Sequence, residues 1–237
     1  MTSCDVPTAA DLAPARGNVN ALLALLRGIT PEGGTPTAGV VGTAAATLLN
    51  TPTASSARAL VLATDGAPNC NFALNPDTCT CTAPPVSRPN CDGVTLCLDD
   101  TRTIDAISTV FRNSGIPTYV IGLGSQLNQF AGMLDRMAVA GGVPRMGTPR
   151  YYSVTSQTEL TDAFTRITSQ LTRCTFLVSN LALNEPLTVR VDGVEVPEGP
   201  TGWEWADGMH TELVLRGMVC DRVAMGGMTS GAVECAP

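Results

Sequence analysis

The run Leu60-Val61-Leu62-Ala63-Thr64 has no charged residue along its length and stops at Asp65-Gly66. It is too short for an ordinary helix, lacks polar alternation and is closed by a turn-forming pair, so it reads as a strand covered on both faces. Such a strand belongs inside a parallel sheet with helices on each side. In such sheets ligands collect just beyond the carboxyl ends of the strands. The sequence therefore puts the Asp65 carboxylate where a binding site would lie.

The neighbouring segments supply the helices and further strands that this strand demands. Val19, Leu22, Leu23 and Leu26 recur at helical spacing over 18–28. Past a tight loop, Thr35 reads as an N-cap and Pro36 as a first-turn residue of a second helix. Val40, Val41, Ala44, Ala45 and Leu48 would form its buried side, and Gly39 and Gly42 would let it approach the sheet closely. Asp99 and Asp100 favour a helix start, Ile104, Ile107 and Phe111 line one face, and Asn113-Ser114-Gly115 ends it. Residues 117–122 read as a second buried strand. Phe130, Met133, Leu134, Met137 and Ala138 mark another helix, stopped by Gly141-Gly142. Residues 151–154 read as a short strand. Ser156 and Glu159 form a capping box ahead of Leu160, Ala163, Phe164, Ile167 and Leu171.

Strand and helix in alternation imply right-handed crossovers, hence an α/β fold with a Rossmann-like parallel sheet and flanking helices. The alternation stops at Cys174. Residues 175–178, 187–191, 194–196 and 212–216 read as short strands, with Asp192-Gly193 as a hairpin turn. The expected organisation is an α/β domain over 1–173, carrying a cysteine-rich insert at 67–98, and a small cysteine-stapled antiparallel β module over 174–237.

The net charge is −7. That balance argues against a nucleic-acid partner, because phosphate binding needs a basic face. No apolar stretch reaches the roughly 18 residues of a membrane span.

Nine cysteines point to an oxidising compartment. Cys70, Cys79, Cys81, Cys91 and Cys97 fall in one Pro/Asn/Thr-rich stretch. Cys174, Cys220 and Cys235 lie in the last quarter, and Cys4 near the start. Zinc is the competing use, but Cys79-x-Cys81 lacks the common C-x2-C spacing and the single histidine, His210, is remote in sequence. Disulfides are expected among Cys70, Cys79, Cys81, Cys91, Cys97, Cys174, Cys220 and Cys235, with the pairing left open and at least one thiol free or paired outside the chain. Disulfides imply export, yet residues 1–6 have neither the basic nor the apolar region of a signal peptide. The chain is thus expected to be part of a longer exported protein.

Four segments then combine in order: Gly33-Gly34-Thr35-Pro36-Thr37, then Leu60–Thr64 with Asp65-Gly66, then Gly115-Ile116-Pro117-Thr118-Tyr119-Val120-Ile121-Gly122-Leu123-Gly124, then 152–171. Together, residues 18–172 resemble the C-terminal two thirds of a von Willebrand factor type A domain. The insert and the β tail are similar to exported bacterial members of that family. The resemblance implies Mg2+ or another divalent cation at the top of the sheet, its shell completed by an acidic group of a protein ligand. Thr35 matches the family's loop threonine and Asp65 its second aspartate. The Asp-x-Ser-x-Ser motif that ends the family's central strand is absent from the chain, a second sign of N-terminal truncation. A hard cation takes an octahedral shell of oxygens. One carboxylate and one hydroxyl therefore predict weak or absent metal binding by this chain alone.

Each candidate also has a plainer use. Thr35 can be only a helix cap, worth about 1 kcal/mol, and Asp65 only a turn former. Gly122-x-Gly124-Ser125 lacks the rest of a dinucleotide or phosphate loop and reads as a turn. His210 reads as a surface-loop residue, since no Gly-x-Ser-x-Gly elbow accompanies it. Trp203 and Trp205 alternate, so one would face a core and one would be partly exposed. The expected function is a non-enzymatic protein-binding or adhesion module of an exported bacterial envelope protein, with its ligand at the top of the sheet. The alternative is a disulfide-stapled scaffold without metal-dependent binding, and an extracellular hydrolase stands a distant third. A missing central strand would expose a sheet edge and favour self-association.

Overall fold

The computed structural model describes residues 4–15, 17–30, 33–51, 58–82, 90–178, 187–205, 210, 212–224 and 229–233. The fold is mixed α/β: one parallel sheet flanked by helices, followed by two small antiparallel sheets.

The parallel sheet is built around β2 (Thr118–Leu123), with β1 (Leu60–Thr64) on one side and β3 (Tyr152–Val154) on the other. β2 is buried from Thr118 to Gly122, as its continuous apolar run predicts. Its two faces feed two separate cores. Val120 packs with Val41, Ile107, Leu134 and Met137, which belong to α2 (Thr37–Asn50), α3 (Asp100–Ser114) and α4 (Ala131–Ala140). Tyr119 and Ile121 pack with Tyr152, Val154, Ala163 and Ile167, the last two on α5 (Gln157–Arg173).

β1 departs from the expectation of burial on both faces. Leu60 and Leu62 pack partly against the first core, but Val61 is 40% exposed. The reason is coverage: on the Val61 face the second core reaches only β2, β3 and the flanking Ala59. α1 (Val19–Gly28) forms where its spacing predicts, but none of its residues is buried. In α2, Val41 and Ala45 are buried while Val40 is exposed, and in α5 Phe164 is exposed. The α2 cap also differs. Pro36, not Thr35, holds the N-cap position, and no side chain caps the helix.

Two local signals hold as read. Gly115 ends α3 in the left-handed region at φ 63°. Ser156 accepts the Glu159 N–H at 3.2 Å while the Glu159 carboxylate accepts the Ser156 N–H at 3.1 Å. The Thr155 N–H and hydroxyl, donating to the same carboxylate at 2.6 and 2.8 Å, and then the Ser156 N–H hold the Glu159 carboxyl below its ordinary value.

The C-terminal strands form two sheets rather than one. β4 (Thr175–Leu177), β8 (Glu212–Leu215) and β7 (Trp203–Trp205) pair in the order β4-β8-β7. β6 (Val194–Val196), β5 (Leu187–Val191) and β9 (Thr229–Val233) pair as β6-β5-β9. Asp192 and Gly193 take φ 52° and 79° between β5 and β6, the conformation a two-residue hairpin needs. Val189, Val191, Val196, Trp203, Leu213 and Leu215 share one core with the Cys174–Cys220 disulfide, which joins the end of α5 to α6 (Gly217–Ala224). No helix among the described residues is long and apolar enough to cross a membrane.

Candidate functional site at the carboxyl end of the sheet

β1 ends in a turn built by its own last residue. The Thr64 hydroxyl donates to the Gly66 carbonyl at 2.7 Å and accepts the Gly66 N–H at 3.2 Å. Asp65 is left exposed at the corner. The loop before α2 lies alongside: a methyl group on Gly66 would sit 3.6 Å from the Thr35 hydroxyl. Thr35 and the Asp65-Gly66 turn, distant in sequence, are thus neighbours in space.

Asn69, Gly34 and a disulfide lock these loops together. The Thr35 N–H donates to Asn69 Oδ1 at 2.6 Å and the Asn69 N–H donates to the Thr35 carbonyl at 2.9 Å. Thr35 thus stands just outside α2, its peptide groups held by a residue across the site. Asn69 Nδ2 continues the chain of bonds to Thr82 Oγ1 at 3.1 Å, and Thr82 donates to the Leu96 carbonyl at 3.0 Å. Cys4 and Cys70 form a disulfide whose Cys70 sulfur lies against Gly34. A side chain at Gly34 would collide with that sulfur and with Asn69 Oδ1.

Asp99, at the N-terminus of α3, anchors the far side. It is 4% exposed. It accepts from Asn71 Nδ2 at 2.8 Å, and its N–H donates to the Pro68 carbonyl at 2.9 Å. Burial raises its carboxyl above the ordinary range, against the lowering effects of Asn71 and Arg102.

The cysteine insert folds on itself. Cys79 pairs with Cys97 and Cys81 with Cys91, and Cys79 Sγ and Cys91 Sγ are in contact at 3.3 Å. With Cys4–Cys70 and Cys174–Cys220, all eight cysteines among the described residues are paired. Seven of them are expected disulfide formers. Cys4 is the addition, and Cys235 lies outside the described residues. Four disulfides fit an oxidising, extracellular environment.

Two metal chemistries can be tested against these residues. The sulfurs of Cys79, Cys91 and Cys97 lie within 4.8 Å of one another, close enough to share one ion. Metal is bound by thiolates, and here each sulfur is spent in a disulfide, so the cluster becomes a ligand set only on reduction. A hard cation at Thr35 and Asp65 fares no better. Among the described residues, no group of three or more acidic or histidine side chains surrounds Asp65. One carboxylate and one hydroxyl fall short of an octahedral shell. The residues present do not fit a tight Mg2+ site.

Of the other singled-out residues, the two tryptophans and His210 belong to the C-terminal strands and their connections, whereas Gly124 lies at this same end of the sheet. Trp203 is buried and its Nε1–H donates to the Val196 carbonyl at 3.1 Å. Trp205 is partly exposed and stacks on His210 at 4.6 Å between ring centroids. Gly124, at φ 85°, turns the chain after β2.

No protein-family model, no curated protein and no solved structure matches this chain.

Proposed function

We propose that this chain is a non-enzymatic binding module of von Willebrand factor type A character, taking a protein ligand at the carboxyl end of its parallel sheet as part of an exported envelope protein. What supports the reading is pre-organisation. Asp65 is exposed beside Thr35, on loops tied by the reciprocal Asn69 bonds and the Cys4–Cys70 disulfide. Loops already fixed in one conformation lose little entropy on binding. Recognition then rests on the Asp65 carboxylate, the Thr35 hydroxyl and the surrounding rim, without a tightly held cation.

The test is capture of purified envelope and extracellular proteins by the immobilised chain, wild type against Asp65→Ala and Thr35→Val. The expected result is a partner whose affinity falls about tenfold or more in Asp65→Ala, with unchanged thermal unfolding and little response to chelator. A partner held equally by both variants sinks the proposal. A second reading is favoured by one observation: Asn69 already engages both peptide groups of Thr35, a purely structural use of that residue. Finding no partner that depends on this end of the sheet would leave the disulfide-stapled scaffold.

A further inference from the structure

Among the described residues, β1 leaves one edge of the parallel sheet unpaired. The Leu60 N–H donates to the Pro117 carbonyl at 2.8 Å. Backbone groups alternate in direction along a strand, so Leu60, Leu62 and Thr64 face β2, and Val61 and Ala63 face outward. Among the described residues, no strand pairs with that outer row. Val61 and Ala63 are both exposed, and no charge or proline interrupts the strand. Charges, prolines, bulges and short length are the devices that keep a bare edge from pairing. β3, the opposite edge, at least has the last of these, being three residues long. β1 lacks both charge and proline over its five residues.

We propose that a second copy of this chain covers the edge, β1 pairing antiparallel with β1 across a two-fold axis. Register supports it. A pairing centred on Leu62 sets Val61 opposite Ala63 twice, so each outward N–H meets an outward carbonyl and each side chain keeps its face. Charge selects the direction. Arg58 precedes the strand and Asp65 follows it. The antiparallel arrangement brings Arg58 of each copy to the Asp65-Gly66 turn of the other. A parallel one would set like charges side by side, which is unfavourable. The contact is isologous and uses up the β1 edge of both copies, so it closes at two. The contact shares Asp65 with the proposed ligand site, and the edge variants at Val61 and Ala63, which leave Thr35 and Asp65 in place, separate the two.

Sedimentation of the full chain across a concentration series tests it, joined to hydrogen exchange. A monomer–dimer equilibrium is expected, with the Val61 and Ala63 amides slowing in exchange as concentration rises. Val61→Lys places a charge on the bare edge. Ala63→Pro removes an outward donor without touching the β1–β2 ladder. Each should weaken association about tenfold or more. Arg58→Asp should weaken it too, and Arg58→Asp with Asp65→Arg should restore it. A monomer at every concentration, an open-ended polymer, or a dimer indifferent to both edge variants would overturn the proposal.

Discussion

Asn69 grips Thr35 by both of its peptide groups, accepting the Thr35 N–H at 2.6 Å through Oδ1 and donating its own N–H to the Thr35 carbonyl at 2.9 Å. The pair joins the loop before α2 to the loop after β1. Replacing Asn69 with Ala strands a partly buried N–H, and such a loss costs about 1–3 kcal/mol. Urea unfolding of Asn69→Ala should show a lower midpoint with an unchanged slope. An unaltered midpoint would mean that water satisfies Thr35 equally well.

The Cys4–Cys70 disulfide spans a sequence separation of 66. In the loop-entropy account a closure of that length contributes about 4 kcal/mol. The double variant Cys4→Ala/Cys70→Ala should therefore unfold at markedly lower urea, with its largest increase in amide exchange at residues 33–37 and 66–71. Equal stability with and without the bridge would show that the unfolded chain is already restrained there.

Asp221 on α6 sets a pH dependence. Burial pushes its carboxyl up to about 6 from an ordinary 3.8. The folded protein therefore holds this proton more tightly than the unfolded chain. Its contribution to stability is full below the ordinary value and is lost as pH rises through about 6. Asp99 is shifted the same way, again chiefly by burial, so the Asp221→Asn variant is needed to separate the two. That variant should be more stable than wild type above the window and close to it below. Parallel urea midpoints for the two proteins across the window would contradict this assignment.

What the sequence made legible was what neighbouring residues decide among themselves. The Asp192-Gly193 hairpin, the Ser156/Glu159 box and the Gly115 stop depend on local backbone geometry, and all three stand. β2 was legible because an unbroken apolar run suits a strand with neighbours on both sides. The same logic overreached at β1, since such a run reports what a strand can bury and not what comes to cover Val61. The N-cap reading of Thr35 failed because the helix starts one residue later, after Pro36, while the peptide groups of Thr35 pair with Asn69, 34 residues away. Cys4 was invisible as a disulfide former for a similar reason. α6 and β9 were missed outright, as short elements among the glycines and methionines that follow Arg216. Thr35 and Asp65 could be chosen from the sequence, but their adjacency and the clamp that fixes it belong to tertiary contacts.

The bridge between Cys174 and Cys220 also decides how the molecule carries load. Its sequence separation is 46. Tension between the two ends of the chain passes from α5 straight across the sulfur bond into α6. β4, β5, β6, β7 and β8 are bypassed, and roughly 150 Å of contour stays hidden until that bond is reduced. Under pull, the element of the C-terminal sheets still in the line of force is β9, which must peel from β5, while the rest of that module remains folded and slack.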